Sequence, residues 1–128
     1  MSQPVPGRPE PEPGAGEAVR TRPTPPPRPP YYAVVFTSLR TPGDDGYADR
    51  SQDMERLARD VPGFLGIDSV RDADGLGITV SYWRDEQSIA AWRDHPAHSV
   101  TRADGRARWY EDFTVHVAKV ERSYDFHR

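Results

Sequence analysis

The distribution of proline is the sequence feature that most limits how this chain can fold. Eleven of its 14 prolines lie within residues 1–30, a stretch that contains no aromatic residue. Because such a segment cannot bury enough apolar surface to offset the entropy of an ordered chain, it predicts a disordered, partly polyproline II tail. The folded domain is therefore predicted to span residues 31–124, followed by a C-terminal tail at residues 125–128.

The apolar pattern of the remaining chain predicts one domain of the α+β class. Runs of β-branched and aromatic residues predict four strands, and amphipathic charged segments predict two helical regions. Asp85 suits the N-cap of the second helical region, Pro96 is expected to break that region, and Gly105 is expected to weaken it. The order β-α-β-β-α-β is ferredoxin-like. The predicted strands cover residues 31–38, 64–70, 78–83 and 113–120, and the helical segments cover residues 47–60, 85–95 and 97–110.

A ferredoxin-like topology leaves one face of its sheet without helices. Both helical regions pack on the same face, so the opposite face needs another cover. A partner subunit is the usual cover. The sequence therefore predicts a homodimer in which two sheets pack together.

Charge and composition exclude several classes of protein. The formal net charge is −3 with the two signs interspersed, so no basic stripe is available for binding a nucleic acid. No apolar run approaches the roughly 20 residues of a membrane span, and the N-terminus lacks a hydrophobic signal core, so we expect no membrane association and a cytoplasmic location. The absence of cysteine removes disulfides, thiolate nucleophiles and cysteine metal sites.

Two tryptophans and two histidines are concentrated where the third strand leads into the second helical region. These residues are Trp83, Trp92, His95 and His98. Two histidines three positions apart can act as metal ligands on one helical face, but Pro96 interrupts the helix and no third ligand follows, so no metal site is predicted. Capping or hydrogen bonding at a helix end is an alternative role for at least one histidine. With an ordinary pKa of about 6.5, His95 is also a candidate general base for a phenol.

Core packing is the default role of each large aromatic side chain. Trp109 and Tyr110 are expected to pack against the final strand or a dimer partner. Tyr32 is a strand residue whose hydroxyl can line a pocket, although strand alternation does not say which face of the sheet carries it.

The same residues resemble the antibiotic biosynthesis monooxygenase (ABM) family. The resemblance covers nearly all of residues 31–124 and is carried by the segments YYAVVFTS, PGFLG, YWRDE, HPAH and VHVAKVE. It implies a dimeric α+β barrel with a pocket between the sheet and the helices of each subunit. It also implies that Trp83 holds the pocket-facing aromatic position of the family's enzymes, and that Trp92 either lines the pocket or packs on the sheet.

The resemblance further implies an activity. Enzymes of this family oxygenate polycyclic aromatic substrates such as anthrones without a metal or flavin cofactor, whereas other members degrade haem or have no established reaction. The hypothesis is a cofactor-independent monooxygenase in which Trp83 and Trp92 hold a small aromatic substrate and His95 or a water takes its proton. Tyr32 and His98 are further candidates for substrate binding.

Two alternatives stay open at this point. The first is a non-catalytic ligand-binding or stress-response protein on the same barrel. The second is a haem-binding or haem-degrading protein, which the sequence disfavours. The haem-degrading branch carries an asparagine on the first strand and a histidine at the position of Thr101, and this chain has neither.

Overall fold

The computed structural model describes residues 21–128 of the chain. Within this range, four antiparallel strands, three α-helices and one π-helical turn lie between Tyr31 and Val120. The strand order β2-β3-β1-β4 confirms the predicted α+β fold with ferredoxin-like topology. Residues 1–20 of the predicted disordered tail lie outside the described residues. The elements are β1 (Tyr31–Arg40), α1 (Tyr47–Arg59), β2 (Phe64–Arg71), β3 (Leu76–Trp83), α2 (Glu86–Arg93), α3 (Pro96–Asp104) and β4 (Tyr110–Val120).

Local signals set the start of the second helical region as the sequence predicts. The Asp85 carboxylate caps α2, accepting hydrogen bonds from the Ser88 backbone N–H at 2.8 Å and the Ser88 hydroxyl at 2.7 Å. These two hydrogen bonds hold the pKa of Asp85 below its ordinary value. Pro96 lies in the first turn of α3, where a missing N–H costs nothing, so the helical region breaks there as expected.

The end of the second helical region differs from the prediction. A single π-helical turn, Gly105–Trp109, follows α3, and β4 starts at Tyr110 instead of the predicted residue 113. Gly105 gives the physical reason, since a Cβ at this position would lie 2.9 Å from Cε2 of Tyr110. The glycine that was expected only to weaken a helix makes room for the first ring of β4.

Trp109 also has other neighbours than expected. Its ring is 1% exposed and lies edge-on to Tyr47 of α1, with 5.9 Å between the ring centroids. Its Nε1 donates a hydrogen bond to the Asp45 carbonyl oxygen at 2.9 Å. Trp109 therefore fastens the start of α1 to the π-helical turn, in addition to preceding the final strand.

Strand register divides the sheet into two faces, because directly paired residues share a face. Trp83 pairs with Tyr32 on the same face as Phe36, whose ring contacts Tyr110 and, through it, Tyr47 of α1. This is the inner face, which the helices cover. The opposite or outer face leaves a group of apolar side chains open, the outer patch. Its members are Val70, Leu76 and Ile78, which are 72%, 50% and 43% exposed.

Residues 21–30, here called the arm, contact the outer face beside β2. Thr24 anchors the arm: its backbone N–H donates to the Asp68 carboxylate at 2.9 Å, and its hydroxyl lies 2.8 Å from the same oxygen and 3.0 Å from the Ile67 carbonyl. A Cβ on Gly66 would overlap with the Thr24 methyl group, so the strand is open where the arm docks. Residues 21–30, which the sequence assigned to the disordered tail, therefore make specific contacts with the sheet. The domain boundary at residue 31 stays a prediction.

The arm provides a measurable test through Tyr82, which donates a hydrogen bond to the second Asp68 oxygen at 3.1 Å. Burial and this hydrogen bond raise the pKa of Tyr82 to about 12. Deleting residues 1–30 exposes the Asp68 side of the sheet, so we expect the pKa of Tyr82 to fall toward the ordinary value of about 10 in a tyrosinate absorbance titration.

Two variants control that titration. Deleting only residues 1–20 keeps the arm, so the pKa of Tyr82 should stay at about 12. Tyr82→Phe should remove this ionisation from the titration and so assign it to Tyr82. An unchanged titration after deletion of residues 1–30 would show that the arm does not shield Tyr82.

Candidate functional site

Two of the predicted pocket residues, Tyr32 of β1 and Trp83 of β3, are cross-strand partners and lie side by side on the inner face. Trp83 is 1% exposed, its Nε1 donates to the Ser81 hydroxyl oxygen at 2.8 Å, and its ring packs edge-on against Phe64 at 5.3 Å between centroids. Trp83 is a core side chain in this state. A substrate can contact its ring only after Phe64 or another neighbour moves.

The other three predicted residues form a cluster where α2 meets α3, here called the His–Trp cluster. The ring of His98 is stacked on Trp92, with 4.3 Å between centroids and 10° between planes. His95 lies 5.5 Å from the same indole at 53°. No described hydrogen bond or ring contact between residues 21 and 128 joins this cluster to Trp83. Over the same residues, no three His, Cys, Asp or Glu side chains form a group suited to a metal ion.

His95 has a structural role that fixes its tautomer. Its Nδ1 accepts a hydrogen bond from the backbone N–H of Ala97 at 3.1 Å, so His95 is the N-cap of α3. An accepting nitrogen carries no hydrogen, so the neutral ring carries its hydrogen on Nε2. This confirms the predicted capping role for one of the two histidines. It also leaves the neutral His95 ring without a free basic nitrogen.

His98 has the opposite tautomer. Its Nδ1 lies 2.9 Å from the carbonyl oxygen of Trp92, and because a carbonyl only accepts, Nδ1 must carry the hydrogen. Nε2 then keeps its lone pair, and it has no hydrogen-bond partner among residues 21–128. Burial lowers the pKa of His98, and the nearby Arg102 and His95 act in the same direction against the Trp92 hydrogen bond. The lowered pKa favours the neutral ring, in which Nε2 is the nitrogen without a hydrogen.

The inner face also has an open apolar surface, here called the β4 strip. It consists of Phe113, Val115 and Val117, which are 37%, 51% and 53% exposed. Register places these side chains beside Phe36 and Val34 of β1 on the side of the helices. Tyr47 of α1 covers β4 at Tyr110, whereas the three side chains of the β4 strip beyond it stay exposed.

Sequence reasoning missed a hydrogen-bonded network at the other end of the inner face. Arg71 reaches across β3 above Gly77, where a Cβ would lie 2.6 Å from the guanidinium carbon. It donates to the Ser38 hydroxyl at 2.8 Å and the Tyr47 hydroxyl at 3.2 Å, and Tyr110 donates to the same Tyr47 oxygen at 3.3 Å. Burial and the Tyr47 hydrogen bond raise the pKa of Tyr110. Separate elements supply these residues, so no sequence spacing could reveal the network.

Helices over one face of a four-stranded antiparallel sheet define a small α+β protein with ferredoxin-like topology. The family model described as antibiotic biosynthesis monooxygenase matches residues 30–104. An uncharacterized protein of Bacillus subtilis (strain 168), YqjZ, is 52% identical over 94 residues, which are 73% of this chain and 82% of that protein. The chain belongs to the antibiotic biosynthesis monooxygenase family, as the resemblance indicated.

More distant relatives share the sequence pattern or the fold. The jasmonate monooxygenase ABM of Pyricularia oryzae is 28% identical over 97 residues, which are 72% of this chain but 44% of that protein. Rv0793 from Mycobacterium tuberculosis has a TM-score of 0.65 at 16% identity, covering 74% of this chain and 99% of its own. SnoaB, a cofactor-independent oxygenase from Streptomyces nogalater, has a TM-score of 0.64 at 12% identity, covering 73% and 95%. The two solved structures share the fold of this chain.

Proposed function

We propose that this protein is a monooxygenase that uses dioxygen to oxidise a small aromatic molecule of the phenol, anthrone or quinol class. Membership of the ABM family supports oxygenase chemistry. The observation that carries the proposal is the geometry of the His98 ring, which is stacked on Trp92, uses Nδ1 for the Trp92 carbonyl and leaves Nε2 without a hydrogen-bond partner among residues 21–128. A base beside an aromatic surface provides what deprotonation of a bound phenol requires.

The proposed reaction takes its electrons from the substrate. Removal of the phenolic proton gives an electron-rich anion that transfers one electron to dioxygen, and the resulting superoxide combines with the substrate radical to form a carbon–oxygen bond. Loss of water from the hydroperoxide then leaves a carbonyl group. One oxygen atom enters the product, the other leaves as water, and the substrate is oxidised to a quinone. Exclusion of bulk water protects the intermediates.

The geometry favours His98 over His95 as the base. His95 uses Nδ1 to cap α3, whereas His98 keeps a lone pair on Nε2. We propose that Trp92 and the β4 strip hold the ring of the substrate. Tyr32 and Trp83 stay candidates for the same site, with Trp83 reached only after movement of a neighbouring side chain.

We further propose that the protein is a cytoplasmic homodimer. The exposed outer patch supports this proposal, because sheet-on-sheet packing would bury it. Between residues 21 and 128, no helix has both the length and the apolar character needed to cross a bilayer.

Dioxygen uptake tests the proposed activity. The purified protein is incubated in metal-chelated buffer with anthrones, naphthols and hydroquinones, and boiled protein is the control. We expect uptake with at least one of these compounds, with one dioxygen consumed per quinone formed and no accumulation of hydrogen peroxide, as the balanced reaction requires.

Other outcomes identify the alternatives. A rise in Tm with one compound, but no uptake with any, would contradict the proposal and favour a ligand-binding protein, since binding to the native state alone raises stability. A Soret band that forms with haemin and is bleached by a reductant would favour haem degradation.

A further inference from the structure

We infer, as an extension of the function proposed above, that the aromatic substrate carries a carboxylate and that this group binds at Tyr47, beside the guanidinium groups of Arg40 and Arg71. The site lies at the end of the inner face where β1 leads into α1. The aromatic ring of the substrate belongs to the proposed function, and the carboxylate is the new element.

Two half-buried arginines at this place carry positive charge that no described acidic side chain neutralises. The guanidinium carbon of Arg40 lies 3.8 Å from the centroid of the Tyr47 ring, and that of Arg71 lies 5.6 Å from it. Neither arginine forms an ion pair with a carboxylate of residues 21–128. Because a charge held partly out of water is costly without an opposite charge nearby, this end of the inner face favours an anion.

Hydrogen bonds hold Arg71 in a fixed position. Its Nη1 donates to the carbonyl oxygens of Ser38 at 3.0 Å and Gly75 at 2.6 Å. Its Nη2 donates to the hydroxyl oxygens of Ser38 at 2.8 Å and Tyr47 at 3.2 Å. All four acceptors are neutral, so they orient the guanidinium group and leave its charge unpaired. A charge that is already in place binds an anion at a lower cost in entropy.

Three hydrogen-bond donors around the Tyr47 ring are left without a described acceptor. The Tyr47 oxygen accepts from Arg71 and from Tyr110, so its own hydrogen is directed to neither of them. Arg40 uses Nε and Nη2 for backbone carbonyls, and its Nη1 makes no hydrogen bond within residues 21–128. The same holds for Nε of Arg71 over that range. A carboxylate accepts several hydrogen bonds and binds most strongly to charged donors.

The charges of both arginines act on the same pair of hydroxyl groups. Burial and the Tyr47 hydrogen bond raise the pKa of Tyr110, whereas the charges of Arg71 and Arg40 lower it. Both guanidinium groups therefore produce a positive potential at the Tyr110 hydroxyl, which is hydrogen-bonded to Tyr47. An anion that binds beside Tyr47 is attracted by the same two charges.

Aromatic side chains adjoin the proposed carboxylate site. The Tyr110 ring lies 5.3 Å from Phe36 and 6.1 Å from Phe113, measured between centroids. Phe113 is 37% exposed and is the first residue of the β4 strip. A carboxylate at Tyr47 is thus one aromatic ring away from exposed apolar surface. This arrangement favours an aromatic acid over an inorganic anion.

Binding of 2-naphthoate and 2-naphthol tests the inference. The two compounds share the same fused rings, but at neutral pH only 2-naphthoate is charged. Isothermal titration calorimetry of the full-length chain in low-salt buffer under nitrogen measures binding without turnover. We expect the Kd of 2-naphthoate to be about tenfold lower than that of 2-naphthol, or lower still, the effect of one charge-assisted hydrogen bond.

Three variants locate the carboxylate. Tyr47→Phe keeps the ring that packs on Trp109 but removes the hydroxyl, and Arg71→Met removes one charge. We expect each of the two to lower the preference for 2-naphthoate by about tenfold. Tyr47→Phe keeps the inference testable if circular dichroism shows that Arg71→Met does not fold. Arg56→Met is the matched control and should keep the preference, because Arg56 is 67% exposed and pairs with Asp53.

Several results would overturn the inference. These are equal Kd values for the two compounds, binding of neither, or a preference for 2-naphthoate that survives Tyr47→Phe and Arg71→Met. Loss of the preference in Arg56→Met would overturn it as well, because the preference would then depend on the net charge of the chain.

Dioxygen uptake separates failure of this inference from failure of the proposed function. Oxidation of naphthols without preferred binding of 2-naphthoate would overturn the carboxylate site and leave the monooxygenase standing. Preferred binding of 2-naphthoate that depends on Tyr47, with no uptake on any naphthol or hydroxynaphthoate, would overturn the monooxygenase and leave the carboxylate site standing.

Discussion

Replacing Trp83 with alanine is expected to lower the free energy of unfolding by about 3–5 kcal/mol, the range for removing a large buried aromatic side chain. The side chain is 1% exposed, packs edge-on against Phe64 and satisfies its Nε1 through Ser81. Its loss leaves a cavity on the inner face at the end of β3. Denaturant unfolding followed by circular dichroism measures the change.

Two further variants show whether Trp83 is only a core residue. Trp92→Ala removes a half-buried tryptophan and should cost less free energy than Trp83→Ala. Trp83→Phe retains most of the apolar volume and should retain most of the stability. If Trp83→Phe kept its stability but lost substrate affinity, Trp83 would line the pocket, as the family resemblance implied. A smaller loss for Trp83→Ala than for Trp92→Ala would contradict the core assignment.

Replacing His98 with asparagine is expected to lower kcat by about 10²- to 10⁴-fold on a substrate found by dioxygen uptake, the usual range for losing a general base. The asparagine amide can still donate to the Trp92 carbonyl but has no basic nitrogen. Because burial holds the pKa of His98 below 6.5, the native rate should fall only as the pH drops through that lower value. This acid limb should be absent from the pH–rate profile of the variant.

His95→Asn is the matched control for the base. Asparagine is a good N-cap, so its side-chain oxygen can still accept from the Ala97 N–H, and both α3 and the turnover should be preserved. The opposite result, with turnover lost in His95→Asn and kept in His98→Asn, would return the catalytic role to His95, as the sequence first suggested.

Predictions from local signals agreed well with the structure. Asp85 caps α2 and Pro96 opens α3, because capping and the missing proline N–H act over one turn of helix. The strand and helix order also followed from residue periodicity, since period two and period 3.6 are properties of the local backbone. The position of β4 did not follow, because the start of that strand depends on the fit of the Tyr110 ring against Gly105.

The site was predictable in composition but not in arrangement. The sequence singled out Trp92, His95 and His98, and the structure brings them together, but spacing could not say which nitrogen of each ring is free. The backbone N–H of Ala97 occupies Nδ1 of His95, and the backbone carbonyl of Trp92 binds Nδ1 of His98. Both backbone groups lie beside the break between α2 and α3 at Pro96.

By itself the sequence determined the fold class, the family and the aromatic and histidine content of the candidate site, because these depend on residue pattern and identity. Only the tertiary structure decided that Trp83 is buried, that Arg71 crosses Gly77 to reach α1, and that the arm docks at Thr24. These features depend on contacts between residues far apart in the chain. Such contacts form only once strand register has fixed which side chains share a face.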